Sequence, residues 1–313
     1  MKIIDTILQS RLFQEQPPVL VDIGASGSIH EKWKKIAPYA ICLAFDADDR
    51  EFTVTEQESK VYKKLILFNR IVTATDQAAT SFYLASSPFC SSLLPPQTAL
   101  LEPWSFSSLF RTDRTLQLPA ITLASALGQA GISYIDWFKT DTQGTDLRLF
   151  KSLPAAIRDT VLAAEFEPGI IDAYVGEDKL YSILQELPVM QFWLSSMDVK
   201  GTQRLHEKYL RQYGVFTAQR MVRKSPCWAE LTYLHEPSFT HERQALLLLV
   251  FALLERQYGF ALEIIDKAQG QFGHMDFQPY RKAVEGQLSK EKIKVPLVIL
   301  KKQFNKLLAH INA

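Results

Sequence analysis

Val19-Leu20-Val21-Asp22-Ile23-Gly24-Ala25-Ser26-Gly27-Ser28 is a short, β-branched apolar run that stops at a glycine turn. Such a run, bounded by turn residues, is a buried strand. Gly24 and Gly27 allow a sharp turn and a close backbone approach to a ligand. Asp46 closes the next apolar run, Ala40–Phe45, 22 residues after Gly24. A carboxylate there accepts hydrogen bonds from both ribose hydroxyls of an adenosine ligand. The glycine spacing is G-x-x-G, so the pyrophosphate-cradling G-x-G-x-x-G is incomplete. Asp22 is awkward beside a diphosphate and suits a cationic group, such as the amino-acid part of S-adenosylmethionine. The competing reading is a tight corner with no ligand.

Working outward, apolar runs at Leu65–Val72, Ser81–Leu84, Tyr134–Thr140 and Val161–Phe166 read as further strands. Helical patterns at His30–Ile36, Thr122–Ala130, Thr145–Leu153 and Asp178–Leu187 lie among them, with Thr145 as an expected N-cap. This alternation predicts βαβ units and a mainly parallel sheet, with ligands at the carboxyl ends of its strands. Phe192–Leu194 and Trp228–Leu234 read as late strands, and everything beyond Thr240 as helix. Ser86–Pro103, rich in Ser and Pro, reads as a long loop of the kind that covers a site. Ile4, Ile7, Leu8 and Leu12 give the N-terminus one amphipathic helix.

Two more strand ends carry acids. Lys139-Thr140-Asp141-Thr142-Gln143-Gly144-Thr145-Asp146 follows one strand and opens a helix, which puts Asp141 at the edge of the predicted cleft. A buried Lys–Asp pair with acid in the first helical turn explains the same residues. Glu165 and Glu167 end the next strand. They suit orienting a hydroxyl, taking its proton or holding a metal ion, and equally suit pairing with Lys139.

Taken in order, VDIGASGSIHEKWKKI, Phe45-Asp46, SSLLPP and LPAITLASAL…YIDWFKTDTQGTDLRLFKSLP resemble the FkbM-like S-adenosylmethionine-dependent methyltransferases over about residues 15–235. The family's D-x-G-A and K-x-D-x-x-G-x-E appear as Asp22…Gly24-Ala25 and as Lys139, Asp141, Gly144 and Asp146. Ser28 stands where glycine is usual; Asp46 and Asp146 stand where glutamate is. The resemblance implies a Rossmann-like class I methyltransferase fold, with a seven-stranded, mainly parallel sheet and an antiparallel last hairpin. It also implies S-adenosylmethionine as cofactor and methyl transfer to a hydroxyl of a sugar, glycan or secondary metabolite. The cofactor set is then Asp22, Gly24, Ala25, Ser26, Gly27, Asp46 and Asp141. Asp141 is the candidate base, with Glu165 and Glu167 beside it; His30 and His206 are spare candidates. A divalent metal would lower the acceptor pKa, although no His-rich ligand set stands near these acids. Ser91, Ser92 and Trp104 are the expected acceptor contacts, Trp104 by stacking on a sugar.

Composition bounds these readings. The chain has 313 residues, 47% hydrophobic and 22% charged, with a net charge of +1, which argues against a dedicated nucleic-acid binder. Cys42, Cys90 and Cys227 are few and scattered, so a reducing, cytoplasmic setting is expected. No stretch reads as a signal peptide or a transmembrane span; Ala245–Leu254 reads as a buried helix. The small net charge hides a contrast: residues 277–313 carry +6 and the rest −5. Leu297, Leu300, Phe304, Leu307, Leu308 and Ile311 face opposite Lys301, Lys302 and Lys306, a basic amphipathic helix suited to an anionic membrane surface or an acidic partner, or simply docked on its own domain. The expected organisation is a catalytic domain over 1–239 and a helical extension over 240–313. A catalytically silent cofactor-fold subunit, used for binding or assembly, is the alternative. A nicotinamide-dependent oxidoreductase fits poorly, given the missing glycine and Asp22.

Overall fold

The computed structural model describes residues 2–24, 30–46 and 61–293. Two compact units form, Leu8–Glu236 and a second that joins Met1–Ile7 to Pro237–Ala313. Residues of the first helix thus group with the C-terminal segment.

In the first unit, seven strands form one sheet: β1 (Val19–Ile23), β2 (Ile41–Phe45), β3 (Lys64–Phe68), β7 (Trp137–Thr140), β8 (Ala163–Phe166), β9 (Phe192–Gln203) and β10 (Lys224–His235). Their order is β3-β2-β1-β7-β8-β10-β9. The first five are parallel; β10 runs antiparallel to β8 and to β9. This is a Rossmann-like α/β fold. The central strands are apolar on both faces, as a sheet covered by helices requires, and β1 is buried along its whole length. Phe138, Phe150, Phe166 and Phe192 interlock in the core on one face.

The unit departs from expectation in four places. Leu65–Val72 is not one strand: β3 ends at Phe68 in the main sheet, and Ile71–Thr73 is β4 in a second sheet. That sheet has the order β4-β6-β5, with β5 at Ala79–Ala85 and β6 at Thr112–Thr122. β6 is polar and exposed over its first four residues and alternates Leu116, Leu118 and Ala120 with Gln117 and Pro119 beyond them; cross-strand pairing with β5, including Gln117 to Ser81 at 2.8 Å, holds it. The segment Ser86–Pro103 contains a 3₁₀ turn at Pro88–Cys90 and a helical turn at Thr98–Leu101. The last hairpin reaches well beyond Leu194, with bulges at Pro226/Trp228 and Thr232/Tyr233.

In the second unit, Glu242–Leu254 is a helix buried from Ala245 to Leu253, and it packs on Tyr258–Gln271. Residues 278–293 are also helical. The N-terminal helix ends at Leu8, and Arg11–Glu15 begins a separate one. The basic face at Leu297–His310 lies outside the described residues. No described helix is long and apolar enough to cross a membrane.

Candidate active site

The carboxyl ends of β1, β2 and β7 meet in a narrow arrangement. Gly24 has φ +84°, and its N–H donates to the Phe45 carbonyl at 3.0 Å. The Asp141 N–H donates to the Ile23 carbonyl at 2.9 Å. A Cβ on Gly24 would run into the Asp141 carbonyl oxygen, so only glycine fits. Gln143 and Gly144 follow in left-handed conformations, at φ 56° and 114°. Such a conformation is unfavourable for Gln143 and marks a site held by its surroundings. The Ser92 hydroxyl donates to the Gln143 carbonyl at 2.8 Å, and the Tyr174 hydroxyl reaches Gln143 Oε1 at 3.2 Å. So braced, Gln143 Nε2 donates to Asp141 Oδ1 at 2.8 Å.

Asp141 and Gln143 stand where two lobes of a cleft join. The first, about 150 Å³, is lined by Gly24, Phe45, Asp46, Val72, Phe82 and Asp141, with Arg70 and Ser91 also on its wall. The second, about 370 Å³, lies towards β8 and β10 and is lined by Asp141, Glu167, Glu177, Glu230, Phe106 and Trp228. Phe89, 65% exposed, borders both lobes.

Lys139 Nζ sits 2.7 Å from Asp22 Oδ1, its register partner on β1. Asp22 and then Asp141 keep the Lys139 ammonium charged, against the desolvation that burial imposes. The buried Lys–Asp pair foreseen in the sequence thus exists, but with Asp22 as the acid. Asp146 is a brace: Oδ1 accepts from the Thr142 N–H and hydroxyl, and Oδ2 from the Glu167 N–H at 2.8 Å. Burial pushes its carboxyl up to about 6 despite these bonds. Thr145 is the N-cap residue, yet its hydroxyl bonds Thr142 and caps nothing.

Burial raises the Asp141 carboxyl above its ordinary value, against Lys139 and the Gln143 hydrogen bond; Asp22 and Glu230 add to the rise. Burial and then the charge of Asp141 push Glu167 up to about 9. Glu167 therefore keeps its proton near neutrality.

Glu165 is elsewhere. It lines neither lobe; His30 Nε2 approaches it at 3.1 Å, Lys32 Nζ at 3.2 Å, and the Trp137 indole N–H donates to it at 2.8 Å. Burial pushes its carboxyl up, but the hydrogen bond and charge of His30, with Lys32 and Lys139, hold it down at about 2. His206 lies apart, 3.2 Å from Glu102. Ser91 lines the first lobe while its Oγ accepts from the Ala85 N–H. Ser92 supports Gln143. Trp104 lines neither lobe; it stacks on Phe106, with the Arg204 guanidinium over its ring. Ala25, Ser26 and Gly27 lie outside the described residues.

Sequence reasoning missed Gln143, Arg70, Tyr174, Phe106 and Trp228. Only Gln143, inside the Asp141 motif, offered a local signal. Among the described residues, no group of three or more His, Cys, Asp or Glu is arranged to hold a metal ion. Compared with known proteins, the sequence matches no family model and no curated protein.

Proposed function

We propose that the chain is an S-adenosylmethionine-dependent methyltransferase acting on a hydroxyl of a sugar, glycan or secondary metabolite. The observation that carries this reading is the two-lobed cleft joined at Asp141. The sheet, with its antiparallel edge hairpin, is also the one the resemblance implies. The lining of the first lobe suits the adenosine part of the cofactor. Gly24 keeps a side chain out, Asp46 offers a carboxylate suited to ribose hydroxyls, and Phe45, Val72 and Phe82 supply an apolar wall. Asp22 fits less well, because Lys139 already neutralises it; Asp141 is the better partner for a cationic group.

Bound S-adenosylmethionine would supply a methyl group already activated on its sulfonium. The chain has then to align the acceptor and receive its proton. Glu167, pushed up to about 9, keeps its proton near neutrality and can donate a hydrogen bond, while Asp141 is the candidate to receive the hydroxyl proton. Gln143 fixes the Asp141 carboxylate.

Calorimetric titration of the purified chain with S-adenosylmethionine tests this. Saturable binding at or below about 1 mM is expected; no binding at millimolar cofactor overturns it. The Asp22–Lys139 ion pair favours a second reading, a subunit that binds without turnover. Methyl transfer to any hydroxylated acceptor excludes that second reading.

A further inference from the structure

We infer that the acceptor carries a protonated amine beside the hydroxyl that receives the methyl group. This rests on the methyl-transfer reading and concerns what the second lobe selects. Asp141, Glu167, Glu177 and Glu230 all line that lobe, and its described lining contains no Lys, Arg or His. Glu177 is already answered: Lys179 Nζ lies 3.2 Å away and the Ala173 N–H donates to it at 2.7 Å. Glu230 has Lys200 at 3.3 Å, at the exposed rim. Lys139, the cation behind the pair, is held by Asp22. No hydrogen bond or ion pair among the described residues holds the Glu167 carboxylate, which faces the cavity. The lobe therefore holds more carboxyl groups than cations to answer them.

Its other walls are aromatic. Phe106 lies edge-on to Trp228 at 6.5 Å and tilted against Phe110 at 5.1 Å; Phe110 meets Tyr174 at 5.6 Å. Ring faces attract cations, most when water is excluded. Carboxylates with aromatic faces, in a cavity of about 370 Å³, fit a small cyclic amino alcohol. An ammonium beside the Glu167 carboxyl would take the place of the proton that burial and the charge of Asp141 keep on it. A neutral polyol does not displace that proton, and an anion is repelled.

The test uses the full chain near neutral pH and three probes on one ring: aminocyclohexanol, cyclohexanediol and hydroxycyclohexanecarboxylate. Calorimetry or ligand-observed NMR reads their binding. The ammonium probe is expected to bind about tenfold more tightly than the diol. Glu167→Gln, and separately Glu230→Gln at the exposed rim, should each reduce that preference about threefold. Equal binding, a preference for the diol or the carboxylate, an undiminished preference in both variants, or no binding of any probe overturns the inference. S-adenosylmethionine binding is measured on the same protein. Cofactor binding without ammonium preference overturns only this inference; ammonium preference without cofactor binding retains the selectivity and overturns the methyl-transfer reading.

Discussion

Glu165 and Glu167 stand two residues apart at the end of one strand, yet one carboxyl is held at about 2 and the other pushed to about 9. Both are largely withdrawn from water, so burial alone does not separate them. Partners do. Glu165 enters a pocket of cations, with His30, Lys32 and the Trp137 N–H on it. Glu167 is one step beyond the strand, where the charges of Asp141, Asp146 and Glu230 act on it and Lys139 offsets them only in part. The first region uses its charge to hold chain segments together. The second keeps a protonated carboxyl beside a cavity, an arrangement that favours binding or proton transfer.

The widest contrast is expected in activity. On the methyl-transfer reading, Asp141→Asn should lower the transfer rate about 10³-fold with the fold intact, measured by steady-state kinetics and circular dichroism. Glu165→Gln should do the reverse. It removes the carboxylate that His30, Lys32 and the Trp137 N–H approach, so denaturant unfolding should show a loss of about 3 kcal/mol, with the rate per folded molecule nearly unchanged. A rate loss as deep as that of Asp141→Asn would break the distinction between the two regions.

Acid titration sharpens it further. The folded Glu165 value lies below its ordinary 4.5, so its contribution is present above about pH 4.5 and lost as pH falls towards 2. Thermal melts of the native chain should weaken over that window, and those of Glu165→Gln much less. Glu167 has the opposite sign. Its folded value is raised, so its contribution is fully present below about pH 4.5 and is lost progressively as pH rises from there through about 9. Glu167→Gln should therefore gain on the native chain across that window, reaching about 1 kcal/mol in alkaline solution, the smallest effect of the set.

The main sheet was readable because VLVDI, ICLAF and AAEF sit on strands apolar enough to bury both faces. Strand-end acids were readable for the same reason, since a strand end fixes where Asp22, Asp46 and Asp141 emerge. Partner choice was not. Asp22 meets Lys139 through the β1–β7 register, which no local pattern reveals. The polar, exposed start of β6 hid the second sheet. Phe106, Tyr174 and Trp228 converge from three distant segments, and each alone resembles an ordinary core aromatic. The strain at Gln143 is likewise a property of its braces, Ser92 and Tyr174, and not of its own sequence.

The second sheet has an entrance and an exit that touch. Ile71 pairs with Ala120 and Thr73 with Thr122, in parallel register, so residues 74–119 leave and re-enter the chain at one doorway. Within that excursion lie Phe82, Phe89, Ser91 and Phe106, walls of both lobes, whereas Gly24, Asp46 and Asp141 belong to the main sheet. One excursion thus supplies part of the wall of both lobes, and through Ser92 it also supplies the brace of Gln143. A graft between residues 73 and 120 would reshape both cavities and leave the seven-stranded order intact, provided that it keeps a donor in the place of Ser92.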